Sequence, residues 1–210
     1  MTSAAGESGP GLAVRGVAMW RGDHCLFEAL DFTAAAGSIV LVVGANGAGK
    51  TTLLRALAGL TVPTAGRIDW QGTDVRALPP ERRGDIAYRG HAEGVKRDLT
   101  VRENLTFSRR ISGGSADIAS VASELGLGPK LDVRTRYLSA GQRRRVGLAT
   151  LRLADAKLWV LDEPMTHLDA EGRRLVVEWI GRHADDGGVA VIATHQPDEL
   201  TRPGALVVEL

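Results

Sequence analysis

Eight consecutive residues, Gly44, Ala45, Asn46, Gly47, Ala48, Gly49, Lys50 and Thr51, match the spacing G-x-x-x-x-G-K-[ST]. They lie between a continuous aliphatic run, Ile39 to Val43, and a helical repeat of Leu53, Leu54, Leu57 and Leu60. That placement is what a phosphate loop requires: glycines let successive amides turn inward around a triphosphate, and the following helix presents its positive end. Lys50 is then expected to reach the outer phosphates and the Thr51 hydroxyl to ligate magnesium. Gly44, Asn46, Gly47, Ala48 and Gly49, with Lys50, Thr51 and Thr52, are the candidate nucleotide contacts.

A second set of groups sits at the end of another aliphatic run, Leu158-Trp159-Val160-Leu161, which closes on Asp162 and Glu163. Two acids after such a run are by themselves an ordinary strand exit. With the phosphate loop upstream, Asp162 is expected to hold magnesium through water and Glu163 to polarise the water that attacks the γ-phosphate. A third set, Leu138-Ser139-Ala140-Gly141-Gln142, opens a helix. By itself it fits a serine N-cap as well as a phosphate-binding helix start.

The elements that must position these groups alternate between short β-rich runs and longer helical patterns, the mark of an α/β domain with a largely parallel sheet. Leu12 to Asp69 is strand-rich. From about His91 to Ala154 helical patterns take over, in Val101 to Phe107, Ala116 to Leu125 and Ala140 to Ala154, with a turn at Gly113 and Gly114. Strands return at Leu158 to Leu161 and Val189 to Ala193, with a helix from about Ala170 to Ala184 between them, and Ala205 to Glu209 is a candidate last strand. This divides the chain into a flexible tail, 1–11, and one domain, 12–210, with a helical subdomain at about 91–154.

At 210 residues, 44% hydrophobic and 24% charged, the chain has the material for one core plus an inserted subdomain. A net charge of +1 gives no field to recruit nucleic acid, so no nucleic-acid partner is expected. The single cysteine, Cys25, excludes an internal disulfide and fits a reducing compartment. The apolar runs fall short of the roughly 20 residues that cross a bilayer, so a membrane role is expected to be peripheral. His24-Cys25 lacks the C-x-x-C-H attachment pattern, and no direct haem site is expected. Arg143, Arg144 and Arg145 read as a solvated helical face that pairs with carboxylates.

Taken in order, these motifs resemble those of the ABC ATPases across about nine-tenths of the chain, with Leu138 to Gln142 similar to that family's signature, usually LSGGQ. The resemblance implies a phosphate-loop NTPase fold: a mainly parallel core, an N-terminal antiparallel β subdomain and an inserted helical subdomain. It implies ATP and Mg2+ as ligands and a two-fold homodimer. In that dimer each ATP lies between the phosphate loop of one copy and Ser139, Ala140, Gly141 and Gln142 of the other. It also gives roles to single residues. Trp20 falls where the family stacks an aromatic on adenine, although a core or surface tryptophan reads equally well. Asp169, in Met165-Thr166-His167-Leu168-Asp169, resembles the acid of the D-loop. His195 resembles the switch histidine and is grouped with Glu163 as catalytic.

His91 stands where most of the family carries a magnesium-touching glutamine. Thr51, His91 and Asp162 are thus the candidate metal contacts. An imidazole titrates near neutrality and a glutamine does not. Turnover is therefore expected to fall as pH drops through roughly 6.5, more steeply than in His91→Gln. Finer likenesses, in Gly90 to Lys96, Leu99 to Leu105, Arg144-Arg145-Val146 and Thr194-His195-Gln196-Pro197, point to the branch of the family that serves c-type cytochrome biogenesis. Membership there implies an ATPase subunit at the cytoplasmic face of the inner membrane, coupled to an integral membrane permease in haem export or release of a haem-chaperone complex. The alternatives are an ATPase for a lipid, lipoprotein or small-solute transporter, and a soluble ABC ATPase.

Overall fold

The computed structural model describes residues 11–92 and 94–210. The tail expected over 1–11 lies outside the described residues except for Gly11, whose carbonyl accepts a hydrogen bond from Gln71 N at 2.7 Å.

Two sheets form the frame. β1 (Leu12–Arg21), β2 (His24–Ala34), β4 (Ala65–Trp70) and β5 (Thr73–Asp74) make an antiparallel sheet in the order β2-β1-β4-β5. β3 (Ile39–Val43), β6 (Ile86–Arg89), β7 (Leu158–Asp162), β8 (Val189–Ala193) and β9 (Leu206–Glu209) make a parallel sheet in the order β6-β7-β8-β3-β9. β3, β7 and β8 are covered on both faces, which is why they read as unbroken aliphatic runs without alternation.

Successive side chains of a strand point to opposite faces, and here the two sets enter two different cores. Val40, Val42, Leu158, Val160, Val189 and Val191 face α1 (Lys50–Leu57) and the antiparallel sheet. Ile39, Leu41, Trp159, Leu161, Ala190 and Ile192 face the helical side, built from α2 (Val101–Ser112), α3 (Ile118–Glu124), α4 (Ala140–Leu153) and α5 (Ala170–Asp185). Each fully buried Leu, Ile or Val contributes about 1.5–3 kcal/mol relative to exposure, so a polar substitution at Leu41 or Val160 strikes both a core and the strand that carries a loop of the site.

The helices start where their caps dictate. Thr100 and Glu103 form a reciprocal capping box at α2, and Asp117 caps α3 through Ser120 N at 2.7 Å. α2 runs five residues past the expected Phe107, through Ser108 to Ser112, a largely polar turn and a half whose one apolar residue, Ile111, is 72% exposed. It stops at Gly113, whose φ of 71° ends the helix.

Candidate nucleotide site

Ligands of parallel α/β sheets gather outside the carboxyl ends of the strands. Four neighbouring strands deliver the candidate residues to one such edge. β3 runs into the loop 44–49, β6 into Gly90 and His91, β7 into Asp162 and Glu163, and β8 into Thr194 and His195.

Between them lies a cleft of about 820 Å³ lined by Trp20, Asn46, Gly47, Gly49, Lys50, Thr51, Thr52, His91, Asp162, Glu163 and His195. Its size is in the range of nucleotide and cofactor pockets. Gly44 and Ala48 stand just outside this lining and shape the loop from behind. Gly44 accepts a hydrogen bond from Lys50 Nζ at 2.7 Å, and Ala48 N donates to Ala45 O at 3.2 Å. The ammonium also donates to Ala45 O at 3.0 Å, so two of its three donors fix the side chain at the mouth of the loop. Gly49 has φ 104°, and a Cβ there would come within 3.0 Å of the Phe27 ring, so the position requires glycine twice over.

Thr51 Oγ1 donates to Asp162 Oδ2 at 2.8 Å, joining the start of α1 to the end of β7. A hydroxyl beside a carboxylate is a hard oxygen donor set, which suits Mg2+. Among the described residues no group of three or more His, Cys, Asp or Glu is arranged to hold a metal. Mg2+ held through one or two protein oxygens, water and phosphate needs no such group. Tyr88, on β6, has its phenol pushed up by burial and then by the Asp162 charge.

Glu163 follows β7 in a left-handed conformation, φ 48°, although it is not glycine. Such a conformation costs on the order of 1–2 kcal/mol and persists only where the surroundings impose it. Its amide donates to Ala193 O at 3.0 Å, and its carboxylate Oε1 lies 3.3 Å from His195 Nε2. The acid is half as exposed as its partner or less, 20% against 52% for the side chains. Trp20, at the far wall of the cleft, is 45% exposed and presents a large aromatic surface there.

Ser139, Gly141, Gln142 and Asp169 line a different cleft, of about 470 Å³, which shares no lining residue with the first. Ser139 is indeed an N-cap: its Oγ accepts from Gln142 N at 3.2 Å, while Gln142 Oε1 accepts from Ser139 N at 3.1 Å. The N-cap reading of Ser139 therefore holds. The box uses the Ser139 oxygen as acceptor, leaving its hydroxyl proton, and the first-turn amides of Ala140 and Gly141 have no intrahelical acceptor. Gly141 is required by a close approach, because a Cβ there would sit 2.9 Å from His167 O, whereas Ala140 is exposed and tolerates its methyl.

Asp169 caps α5 through Gly172 N at 2.9 Å and accepts both contacts of Arg145 Nη2, at 2.6 and 2.7 Å. The Gly172 amide first, and Arg145 next, hold its carboxyl below the usual carboxylate range.

The solvated-face reading of the arginine cluster fails at Arg144, whereas Arg145 has the expected carboxylate partner. Arg144 is only 3% exposed and donates to four backbone carbonyls, those of Gly90, His91, Asp162 and Glu163. Arg145 reaches Leu125 O as well as Asp169. Only Arg145 of the described contacts follows the expected carboxylate pairing. A helix-face reading cannot anticipate partners 18 to 54 residues away in the chain. The usable signal was the position of Arg144 four and seven residues before Leu148 and Leu151, which puts it on the buried face of α4.

The family model described as ABC transporter matches residues 27–166. The cytochrome c biogenesis ATP-binding export protein CcmA of Cupriavidus pinatubonensis is 44% identical over 191 residues, covering 90% of this chain and 84% of that protein. The protein of the same name from Escherichia coli K12 is 42% identical over 177 residues, covering 84% and 85%. Two solved structures, an ATP-binding subunit of an ABC transporter and an ATP-binding protein from Pyrococcus furiosus, share the fold with TM-score 0.79 at 24% identity. They cover 88% and 95% of this chain, and 79% and 96% of their own. The chain belongs to the ATP-binding proteins of the ABC transporter family and, within it, to the group of cytochrome c biogenesis ATP-binding export proteins.

Proposed function

We propose that this chain hydrolyses ATP as the nucleotide-binding subunit of a membrane complex for c-type cytochrome biogenesis, coupling turnover to haem export or to release of a haem-chaperone complex. The observation that carries the reading is one cleft holding Lys50, the Thr51–Asp162 pair and the Glu163–His195 pair at the ends of adjacent parallel strands.

The chain's groups divide the work. The loop amides and the third Lys50 donor bind phosphate oxygens, and Trp20 stacks on the adenine. Thr51, Asp162 and His91 would hold Mg2+, which when bound would neutralise charge developing on the phosphates. The Glu163 carboxylate accepts a hydrogen from the attacking water and aims its oxygen at the γ-phosphorus. His195, whose Nε2 approaches that carboxylate to 3.3 Å, is placed to contact the same phosphate.

Ser139 with the amides of Ala140 and Gly141 caps the γ-phosphate bound in a second copy, while Gln142 keeps the cap formed. Asp169, locked to Arg145, fixes the D-loop at the same seam. Two copies packed head to tail thus complete two sites. Among the described residues no helix is long and apolar enough to cross a membrane. Attachment to the cytoplasmic face of the inner membrane then falls to an integral permease subunit, and residues 12–210 act as one domain with the helical segment 91–154 as its movable lobe.

Purification of the native complex carrying Glu163→Gln tests the assignment. The variant is expected to retain ATP, to lose turnover by at least about 100-fold, and to bring down a permease together with haem-handling proteins. Wild-type turnover would remove Glu163 as the base. Recovery of a peptide permease without a haem chaperone would remove the cytochrome c assignment.

A further inference from the structure

The four carbonyls described for Arg144 come from two segments. Nη1 donates to Gly90 O at 3.2 Å and His91 O at 3.3 Å, in the turn that follows β6. Nη2 donates to Asp162 O at 3.2 Å and Glu163 O at 2.6 Å, at the end of β7. Those segments carry His91 and Glu163 into the nucleotide cleft, while Arg144 belongs to α4, which Ser139 caps. One planar guanidinium therefore joins the signature helix to both.

We propose that Arg144 is a positioning residue for hydrolysis: it holds the Glu163 peptide in the left-handed conformation that aims its carboxylate, and ties that aim to the Gly90–His91 turn and to α4. The proposal rests on the reading of Glu163 as the base that activates water.

Three features favour this over simple packing. Arg144 is buried, yet both of its terminal nitrogens donate to backbone carbonyls of the two cleft segments, contacts that an apolar side chain of similar volume could not make. Glu163 needs outside support, since φ 48° is unfavourable for any residue with a Cβ. That support comes from Ala193 O on its amide side and, on its carbonyl side, from Thr166 N at 3.2 Å and from Arg144 at the shorter 2.6 Å. Finally, the neighbouring strand repeats the tie: Arg89, at the end of β6, donates to Thr150 Oγ1 on α4. Burial, and then the charge of Arg144, push the Arg89 guanidinium down to about 10. The geometry asks for arginine in particular, because a lysine ammonium lacks the flat fork that reaches carbonyls on two sides at once.

The test compares Arg144→Gln, Arg144→Lys, Glu163→Gln and the double variant Glu163→Gln with Arg144→Gln, in the full chain purified with its membrane partner. Both single Arg144 variants are expected to lower kcat by about 10- to 100-fold, the range for a reacting group misplaced by about an ångström. ADP affinity, read by calorimetry, is expected to stay within about twofold. The double variant should turn over no more slowly than Glu163→Gln alone, because the two residues act through one carboxylate. Should Arg144→Gln fail to fold, Arg144→Lys decides the case. Wild-type kcat in a folded Arg144 variant, equal losses of kcat and ADP affinity, or a further loss on the Glu163→Gln background would each overturn the proposal. Full turnover in Glu163→Gln would instead remove the base assignment beneath it, and with it the proposal.

Discussion

Glu163 combines a functional carboxylate with a backbone that its own Cβ disfavours, and the two can be separated by mutation. At an ordinary position alanine is more stable than glycine by about 0.5–1 kcal/mol, because glycine loses more chain entropy on folding. At φ 48° the order reverses. Glu163→Gly is therefore expected to melt at or above Glu163→Ala, although both lack turnover; a glycine variant that melts several degrees lower would show that the left-handed geometry is not intrinsic to the fold. The Glu163 side chain was legible because an aliphatic run ending in two acids is a local pattern. Its strain was not, since no sequence pattern marks a left-handed non-glycine residue. The same limit hid Arg144, whose neighbours in sequence are two more arginines and whose neighbours in space are four carbonyls.

At the scale of elements, strands β3 and β8 fall where unbroken aliphatic runs place them, because burial on both faces writes itself directly into composition. Helix ends were harder: α2 extends through Arg109, Arg110 and Ser112, a largely solvated turn in which Ile111 is the one apolar residue. The junction of β7 with α5 carries a pH dependence that no motif announces. His183 on α5 stacks on Trp159 at 4.1 Å and an interplanar angle of 8°, with Nε2 3.3 Å from Val189 O. Burial lowers its pKa from the ordinary 6.5, outweighing the Val189 and Lys157 carbonyls, which favour the charged ring. Because the folded value is the lower one, the unfolded chain takes up the proton first as pH falls. The stabilising contribution is complete above about 6.5 and declines from there towards the depressed folded value. Melting temperature is expected to drop between pH 7.5 and about 5.5 more in the wild type than in His183→Phe, which keeps a stacked ring without a titrating group. Parallel melting curves for the two proteins would rule out His183 as a source of the dependence.

For the whole molecule the decisive arrangement is negative: the two clefts share no lining residue, so the phosphate loop and the signature helix of one copy form separate surfaces. If two copies close head to tail, each composite site takes Lys50 from one chain and Ser139 from the other. Defects in those two residues then complement across the seam. Lys50→Ala paired with itself has no intact loop, and Ser139→Phe paired with itself has no intact cap. A mixed pair has one site with both defects and one with neither. On a Glu163→Gln background, where bound ATP is retained, equal amounts of the two variants should form mixed pairs in about half of all dimers. The mixture should then hold about a quarter of the nucleotide held by Glu163→Gln alone, while each variant by itself holds almost none. Retention no greater in the mixture than in its separate components would mean that each chain closes its own site. The interface read into Ser139, Gly141 and Asp169 would then lose its purpose, whereas the grip of Lys50 on the phosphates would stand.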